Sequence, residues 1–218
     1  MTTLNATPVA ASAAAPGAAL NLTKIAPGQK ISLTKEHPNL SKITLGLGWN
    51  PRRTDGKEFD LDAACMAVGS DGKLRSPNDL VCYLPGYTQH PSGAVIHNGD
   101  NKNGQGEGDD ETLSVDLNLV PAEISKLVFT VSIYAARQRS QNFGMVDGAY
   151  ARLIDATSGK ELYRFDLTED ASTNTAVIFV RLYRHNGEWK FEGVGQGFTG
   201  GFKRLCAEHG LEVEEEIE

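Results

Sequence analysis

Apolar and polar residues alternate along most of the chain from Lys24 onward. In the segment KITLGLGW, residues 42–49, an apolar side chain occupies every second position, and KLVFTVSIYA, residues 126–135, repeats this pattern. A period of two is typical of β-strands, because successive side chains of a strand point to opposite faces of the sheet. The same pattern predicts further strands at DAACMAVG, DLVCYL, AYARLID, ELYRFDL, TAVIFVRLY and EWKFEGVG.

The clearest turn lies between the last two of these strands, at Asn186-Gly187. A two-residue type I′ turn needs positive φ at both central positions, and an Asn-Gly pair accepts this geometry, so a hairpin is predicted there. About nine short strands without long helices between them favour an all-β fold, a β-sandwich of two mainly antiparallel sheets.

Two short helices are expected in addition to the sheets. The segment LVPAEIS, residues 119–125, predicts one or two helical turns, and GGFKRLCAEHG, residues 200–210, predicts a helix near the C-terminus that ends at Gly210. Four residues of the second segment share one helical face: Phe202, Leu205, Cys206 and His209.

Composition divides the 218 residues into three parts. Residues 1–21 are rich in alanine and proline and lack the charged start and apolar centre of a signal peptide, so they are expected to form a flexible leader. Residues 22–210 are expected to form the β-sandwich domain, and residues 211–218, LEVEEEIE, an acidic tail.

Charge and cysteine content exclude several classes of protein. The net charge is −7, of which the segment 98–111 carries −4 and the tail −5, so the remainder of the chain is at about +2 and a nucleic-acid-binding face is not expected. No apolar stretch approaches the roughly 20 residues of a transmembrane helix. Three cysteines without a C-x-x-C pair, Cys65, Cys82 and Cys206, indicate buried thiols in a reduced, cytoplasmic protein.

The segment NGDNKNGQGEGDDE, residues 98–111, holds five carboxylates and four glycines but no hydrophobic side chain. Either it is a solvated surface bulge, or a cation holds the carboxylates together. Calcium takes six to eight oxygen ligands, and a glycine-rich loop can supply both carboxylates and carbonyls. The EF-hand pattern fails, because Lys102, Gly104 and Gln105 occupy positions that need ligands or glycine. A loop-borne calcium site on a β-sandwich is the better hypothesis.

A second acidic group precedes an apolar strand, in the segment TDGKEFDLDAAC. Asp60 and Asp62 are two residues apart, so on a strand their carboxylates share one face. Carboxylates at the start of a buried strand are costly without a counter-ion. The alternative is that they cap the end of the strand in water. The cation hypothesis predicts that both residues approach the loop at 98–111.

Several segments occur in a family-specific order: LGLGWNP, DGKEFDLDAAC, HNGDNKNGQGEGDDE, VPAEISKLVFTVSIYAA, RSQNFGMVDGAYARLID and the closing GG helix. In this order they resemble the TerD family of tellurium-resistance and general stress proteins, over about residues 22–210. The resemblance implies a calcium-binding β-sandwich. Carried over position by position, it implies a set of metal ligands: Asp60, Asp62, Asp100, Asn101, Glu107, Asp109, Asp110 and Glu111.

Three positions depart from the usual family pattern. Asn50 stands where members often have aspartate, and Gln105 and Glu107 stand where they often have glutamate and aspartate. Gln105 removes a charge, which lowers the expected affinity, whereas Glu107 keeps the charge on a longer arm.

The function implied by the resemblance is that of a calcium-binding stress-response protein that acts by binding and is not an enzyme. Implied partners are calcium ions and other Ter-type stress proteins, with a membrane-associated complex as a further setting. A metal-dependent hydrolase is one rival, although no histidine or lysine is placed as a base. A small-ligand module, for example for a nucleotide, is the other. It would use the donor-rich residues 137–142, which either capture an anion or pair with Asp147, Glu169 or Asp170.

Overall fold

A computed structural model of the chain describes residues 24–51, 55–167 and 173–213. The predicted leader at 1–21 and residues 214–218 of the predicted tail lie outside these ranges. Within them, eleven strands form two antiparallel sheets accompanied by three short α-helices, which confirms the predicted β-sandwich. None of these helices is both long and apolar enough to cross a membrane.

The strands are numbered along the chain and divide between the sheets as follows. Six strands form the larger sheet: β1 (Lys30–Ser32), β3 (Leu61–Val68), β4 (Leu80–Val81), β7 (Lys126–Ile133), β10 (Ala176–His185) and β11 (Glu188–Phe198). Five form the smaller sheet: β2 (Lys42–Gly48), β5 (Val95–His97), β6 (Glu111–Asp116), β8 (Tyr150–Asp155) and β9 (Glu161–Asp166). Their spatial orders are β1-β11-β10-β7-β3-β4 and β5-β6-β2-β8-β9.

The main core lies between the two sheets, and alternate residues of β2 and β7 fill it. Leu45 and Phe129, for example, are at most 2% exposed. A second apolar cluster lies on the opposite face of the larger sheet, under helix α3 (Gly201–Glu208). The predicted face of this helix is buried, and Cys82 and Cys206 belong to this second cluster, whereas Cys65 is buried in the main core. Every residue of β3 is buried because both faces of the strand are covered.

The predicted hairpin at Asn186-Gly187 is confirmed, with φ of 53° and 76° at its two residues. The predicted helix at 119–125 is wrong, since this segment forms turns. Its carbonyl groups bond elsewhere: the Arg184 guanidinium donates to the carbonyl oxygens of Val120, Pro121 and Ile124 at 2.7 to 3.2 Å.

Several elements are absent from the sequence prediction. They are β1, β5 and β6, together with the four-residue helices α1 (Leu33–Glu36) and α2 (Ala136–Arg139). The segment DLVCYL forms a strand only at Leu80–Val81, and residues 77–79 form a 3-10 turn.

Replacing Arg184 by methionine tests the tie between β10 and the turns at 119–125. Methionine keeps much of the packing on Trp189, whose ring centroid lies 4.8 Å from the guanidinium carbon, but leaves three carbonyl groups without their donor. We expect the free energy of unfolding, measured by urea denaturation, to fall by about 1.5–3 kcal/mol. The control is Arg181→Met, which removes a partly exposed cation 4.0 Å from Glu192 and should cost at most about 0.5 kcal/mol. Equal losses would contradict this role for Arg184.

Candidate metal centre

The structure brings Asp60, Asp62 and Asp100 together. Each residue offers one carboxylate oxygen, and these three oxygens lie within 4.8 Å of one another. Asp60 directly precedes β3 and Asp62 is its second residue, while Asp100 belongs to the loop that leads into β6. The two acidic segments that the sequence singles out therefore meet at one end of the sandwich. We call Asp60, Asp62 and Asp100 the carboxylate cluster.

Asp62 has the most demanding environment of the three. It is 6% exposed, and its carboxylate forms no hydrogen bond or ion pair with the residues that the structure describes. Burial raises the pKa of Asp62 well above its ordinary value, and repulsion from Glu111, Asp60 and Asp100 raises it further. The Arg139 guanidinium opposes this rise of the Asp62 pKa but has the smallest effect of these charges. A buried carboxylate with so little compensation is costly, so this position calls for a cation or a proton.

Asp60 is partly compensated by an arginine. Burial raises its pKa to about 6, although the Arg139 guanidinium lies 3.7 Å from the carboxylate and opposes the shift. The third member, Asp100, is more exposed and lies 3.8 Å from the Lys102 ammonium group. Asp60 and Asp100 thus each have a positive side chain within 4 Å, whereas Asp62, the most buried carboxylate, forms no such pair among the described residues.

Glu111 borders the cluster and holds the loop against β3. It is 1% exposed, and its two oxygens accept the backbone N–H groups of Ala63 at 2.7 Å and of Asn101 at 3.2 Å. The buried His97 ring nitrogen Nε2 lies 3.5 Å from the same carboxylate. Burial raises the pKa of Glu111, while the nearby His97 ring and the hydrogen bond from Ala63 oppose the increase.

Asn101 and Asp110 organise the loop instead of joining the carboxylate cluster. The Asn101 side-chain oxygen accepts two backbone N–H groups, from Asn103 and Gly104, and its amide group donates to Asp110 Oδ1. The other oxygen of Asp110 accepts the N–H group of Trp49 at 2.9 Å. Each Asp110 oxygen thus accepts one hydrogen bond, and the ligand role predicted for Asn101 and Asp110 stays a prediction.

The structure does not bring Asp109 or Glu107 into the cluster. Asp109 accepts hydrogen bonds from Arg152 Nε at 2.7 Å and from the Tyr150 hydroxyl at 3.1 Å, on the outer face of the smaller sheet. Its carboxylate lies over Gly46, where any side chain would collide with it. Glu107 is exposed to solvent. The neutralising arginine and the missing side chain at position 46 explain why Asp109 turns outward.

A cavity of about 320 Å³ opens beside the cluster, and sequence reasoning did not predict it. Its lining includes Asp62, Tyr83, Arg137 of α2 and the first residues of α3. The adjacent GG pair at 200–201 is the signal that could have located it, because it starts a helix without a capping side chain.

The donor-rich segment 137–142 contacts the carboxylate cluster and the chain just before it. Arg139 pairs with Asp60, and Gln141 donates to the carbonyl oxygens of Lys57 and Glu58. Asp147 instead accepts a hydrogen bond from the Asn50 side chain. Glu169 and Asp170 lie outside the described residues.

The donor set fits a hard divalent cation. Carboxylate oxygens converge from a strand and a glycine-rich loop, and one of these carboxylates, Asp62, is buried without an ion pair among the described residues. Such an all-oxygen site suits Ca²⁺ or Mg²⁺ better than a soft metal.

Comparison with known proteins agrees with this arrangement of elements. The family model for the TerD domain matches residues 21–209. The chain is 47% identical to tellurium resistance protein TerD of Serratia marcescens, over 84% of this chain and 95% of that protein. It is also 47% identical to general stress protein 16U of Bacillus subtilis (strain 168), over 87% of this chain and 97% of that protein.

The fold also matches a solved structure. The crystal structure of a homologue of telluride resistance protein (TerD) from Streptomyces coelicolor A3(2) superposes with a TM-score of 0.65 at 19% identity, covering 77% of this chain and 96% of that one. This likeness supports the fold alone. The family match and the two relatives, taken together, show that the chain belongs to the TerD family of tellurium-resistance and general stress proteins.

Proposed function

We propose that this chain is a calcium-binding stress-response protein that acts by binding and not by catalysis. The observation that carries the proposal is Asp62, a carboxylate that is 6% exposed, lies beside Asp60 and Asp100, and forms no ion pair within the part of the chain that is described. A divalent cation would supply the missing charge and would offset the mutual repulsion of the three carboxylates.

Calcium suits the site better than magnesium. Magnesium demands near-octahedral geometry, whereas calcium accepts six to eight oxygens in variable positions. One ligand source here is a loop with positive φ at Gly104, whose backbone lies against the Trp49 indole, so the loop can present carbonyl as well as carboxylate oxygens. Asp60, Asp62 and Asp100 would hold the ion, and its charge would order the loop.

The setting follows from the family. The relatives named above are tellurium-resistance and general stress proteins, so we propose a role in the same type of response, with other Ter-type stress proteins as partners. A metal-dependent hydrolase is less well supported. Hydrolysis at a metal needs a base near the ion, and the side chain of His97, the histidine beside Glu111, is 1% exposed and faces Glu111.

Calcium should raise the melting temperature through Asp62. If the dissociation constant is about 10 µM, about 1 mM free calcium adds about 2.7 kcal/mol to the free energy of unfolding, which corresponds to several degrees. Asp62→Asn should remove this shift, because it neutralises the unpaired carboxylate. Differential scanning calorimetry of chelator-treated protein with and without calcium measures it, and magnesium at the same concentration should produce a smaller shift.

The matched control for this experiment is Asp109→Asn. It removes the same charge from the same acidic loop, but its partner is Arg152 on the outer face of the sheet. The control should therefore keep the calcium shift even if it lowers the calcium-free melting temperature. Loss of the shift in Asp109→Asn together with its retention in Asp62→Asn would refute the proposed site.

Protons should compete with calcium for the same carboxylates. Because the pKa values of Asp60 and Asp62 are raised in the folded state, the native protein binds protons more tightly than the unfolded chain. Their contribution to stability is therefore present at low pH and is lost as the pH rises from the ordinary value of 3.8 through about 6, the folded-state value for Asp60.

In calcium-free protein, with chelator present, we expect Asp62→Asn to raise the melting temperature more at about pH 7.5 than at about pH 5.5. Asparagine does not ionise, so the variant avoids the loss of stability that ionisation of Asp62 causes as the pH rises. Glu107→Gln, an exposed acid of the same loop, should show no such pH-dependent difference. With calcium present, the wild-type shift should be smaller at the lower pH. A calcium shift that is independent of pH would argue against a site made of these carboxylates.

A further inference from the structure

The cavity beside the carboxylate cluster is lined by groups of opposite charge. Asp62 contributes a buried carboxylate, and Arg137 and the start of α3 contribute positive groups. The volume of about 320 Å³ is at the lower end of the range for small-molecule sites. Tyr83, Tyr134 and Phe202 add aromatic surface to the lining.

Two arginines of the one-turn helix α2 have different surroundings. Arg139 lies 3.7 Å from the Asp60 carboxylate and 4.9 Å from the centroid of the Tyr134 ring, so it already has partners. Arg137 lines the cavity, is exposed, and forms no ion pair with any residue that the structure describes. Its guanidinium is therefore available to a ligand.

The N-terminus of α3 is the second positive group. Gly200 at the N-cap has no side chain to cap the helix, and the first turn contains no acidic residue to compensate the helix dipole. The N–H group of Gly201 bonds to the Thr175 hydroxyl at 3.0 Å, and the first helical hydrogen bond is donated by Arg204. Backbone N–H groups at such a helix end favour an anion.

We propose that this cavity binds a small phosphate monoester. Its phosphate would lie close to the calcium ion proposed at Asp62, to Arg137 and to the first turn of α3. The inference rests on the proposed calcium site, because without a cation the Asp62 carboxylate would repel an anion. A phosphate has three terminal oxygens and can contact all three positive groups at once, whereas a carboxylate has only two oxygens. Because the cavity is small, the organic part of the phosphate ester must be small too, and it would lie against the aromatic side chains of the lining.

Phenyl phosphate is the probe, titrated by calorimetry into protein with saturating calcium and into protein with chelator. We expect binding with calcium and affinity at least about tenfold weaker without it, since the charge of the site reverses. Benzoate, which has the same ring but a carboxylate, should bind at least about tenfold more weakly than phenyl phosphate in the presence of calcium. The amide NMR signals of Gly201 and Phe202 should shift on binding.

Arg137→Gln should weaken phenyl phosphate binding by about tenfold or more, since it removes a charge-assisted hydrogen bond. It should leave the calcium-induced rise in melting temperature unchanged, because Arg137 does not contact the carboxylate cluster. The matched control is Arg204→Gln on α3, whose guanidinium pairs with Glu208 at 3.2 Å and is not part of the cavity lining. It should leave phenyl phosphate binding unchanged.

The outcomes separate this inference from the proposed function. A normal calcium shift without phenyl phosphate binding would overturn the inference and leave the calcium site intact. Equal losses in Arg137→Gln and Arg204→Gln would also overturn it, since the cavity would not be the site. Benzoate binding as tight as that of phenyl phosphate would overturn the assignment to phosphate. Absence of any calcium shift would overturn the proposed function and this inference with it.

Discussion

The carboxylate of Glu111 is the contact on which the functional end of the molecule depends. It belongs to the first residue of β6 in the smaller sheet, yet it accepts the N–H group of Ala63 in β3 of the larger sheet and that of Asn101 in the acidic loop. A buried carboxylate accepting two backbone N–H groups joins both sheets and the loop at one point. Because Ala63 follows Asp62 directly, this bond also fixes how close Asp62 comes to Asp100.

The acidic residues of the loop have different roles, which depend on their contacts. Asp109 and Asp110 accept hydrogen bonds from Arg152 and from the Trp49 N–H group, and these bonds hold the loop to the smaller sheet. Residues 105–108 are exposed and solvated. Asp100 alone of the loop's carboxylates joins Asp60 and Asp62 in the cluster. Part of the loop is therefore solvated, whereas a cation remains the prediction for the part that reaches the carboxylate cluster.

The sequence predicts the fold well where a strand has one buried face, as in β2 and β7, and where a turn has a specific backbone requirement, as at Asn186-Gly187. It fails where tertiary contacts decide. Strand β6 alternates strictly, but its first inward residue is the charged Glu111, whose burial depends on β3. The pairing of Arg139 with Asp60 joins residues distant in sequence, and nothing local indicates that Asp109 turns towards Arg152.

The backbone around α2 shows what it takes to place two guanidinium groups at this site. Ala135 and Ser140 bracket the helix, and both adopt left-handed conformations, with φ of 50° and 53°. Each such residue other than glycine costs roughly 1–2 kcal/mol. The strain is offset locally, because the Gln141 amide group bonds the carbonyl oxygens of Lys57 and Glu58 and thereby fixes the segment against the chain that precedes Asp60. After β7 the chain therefore turns back sharply, which places Arg139 beside the carboxylate cluster and Arg137 at the cavity. The positive charge at this end of the sandwich is positioned by a strained backbone and not by a flexible loop.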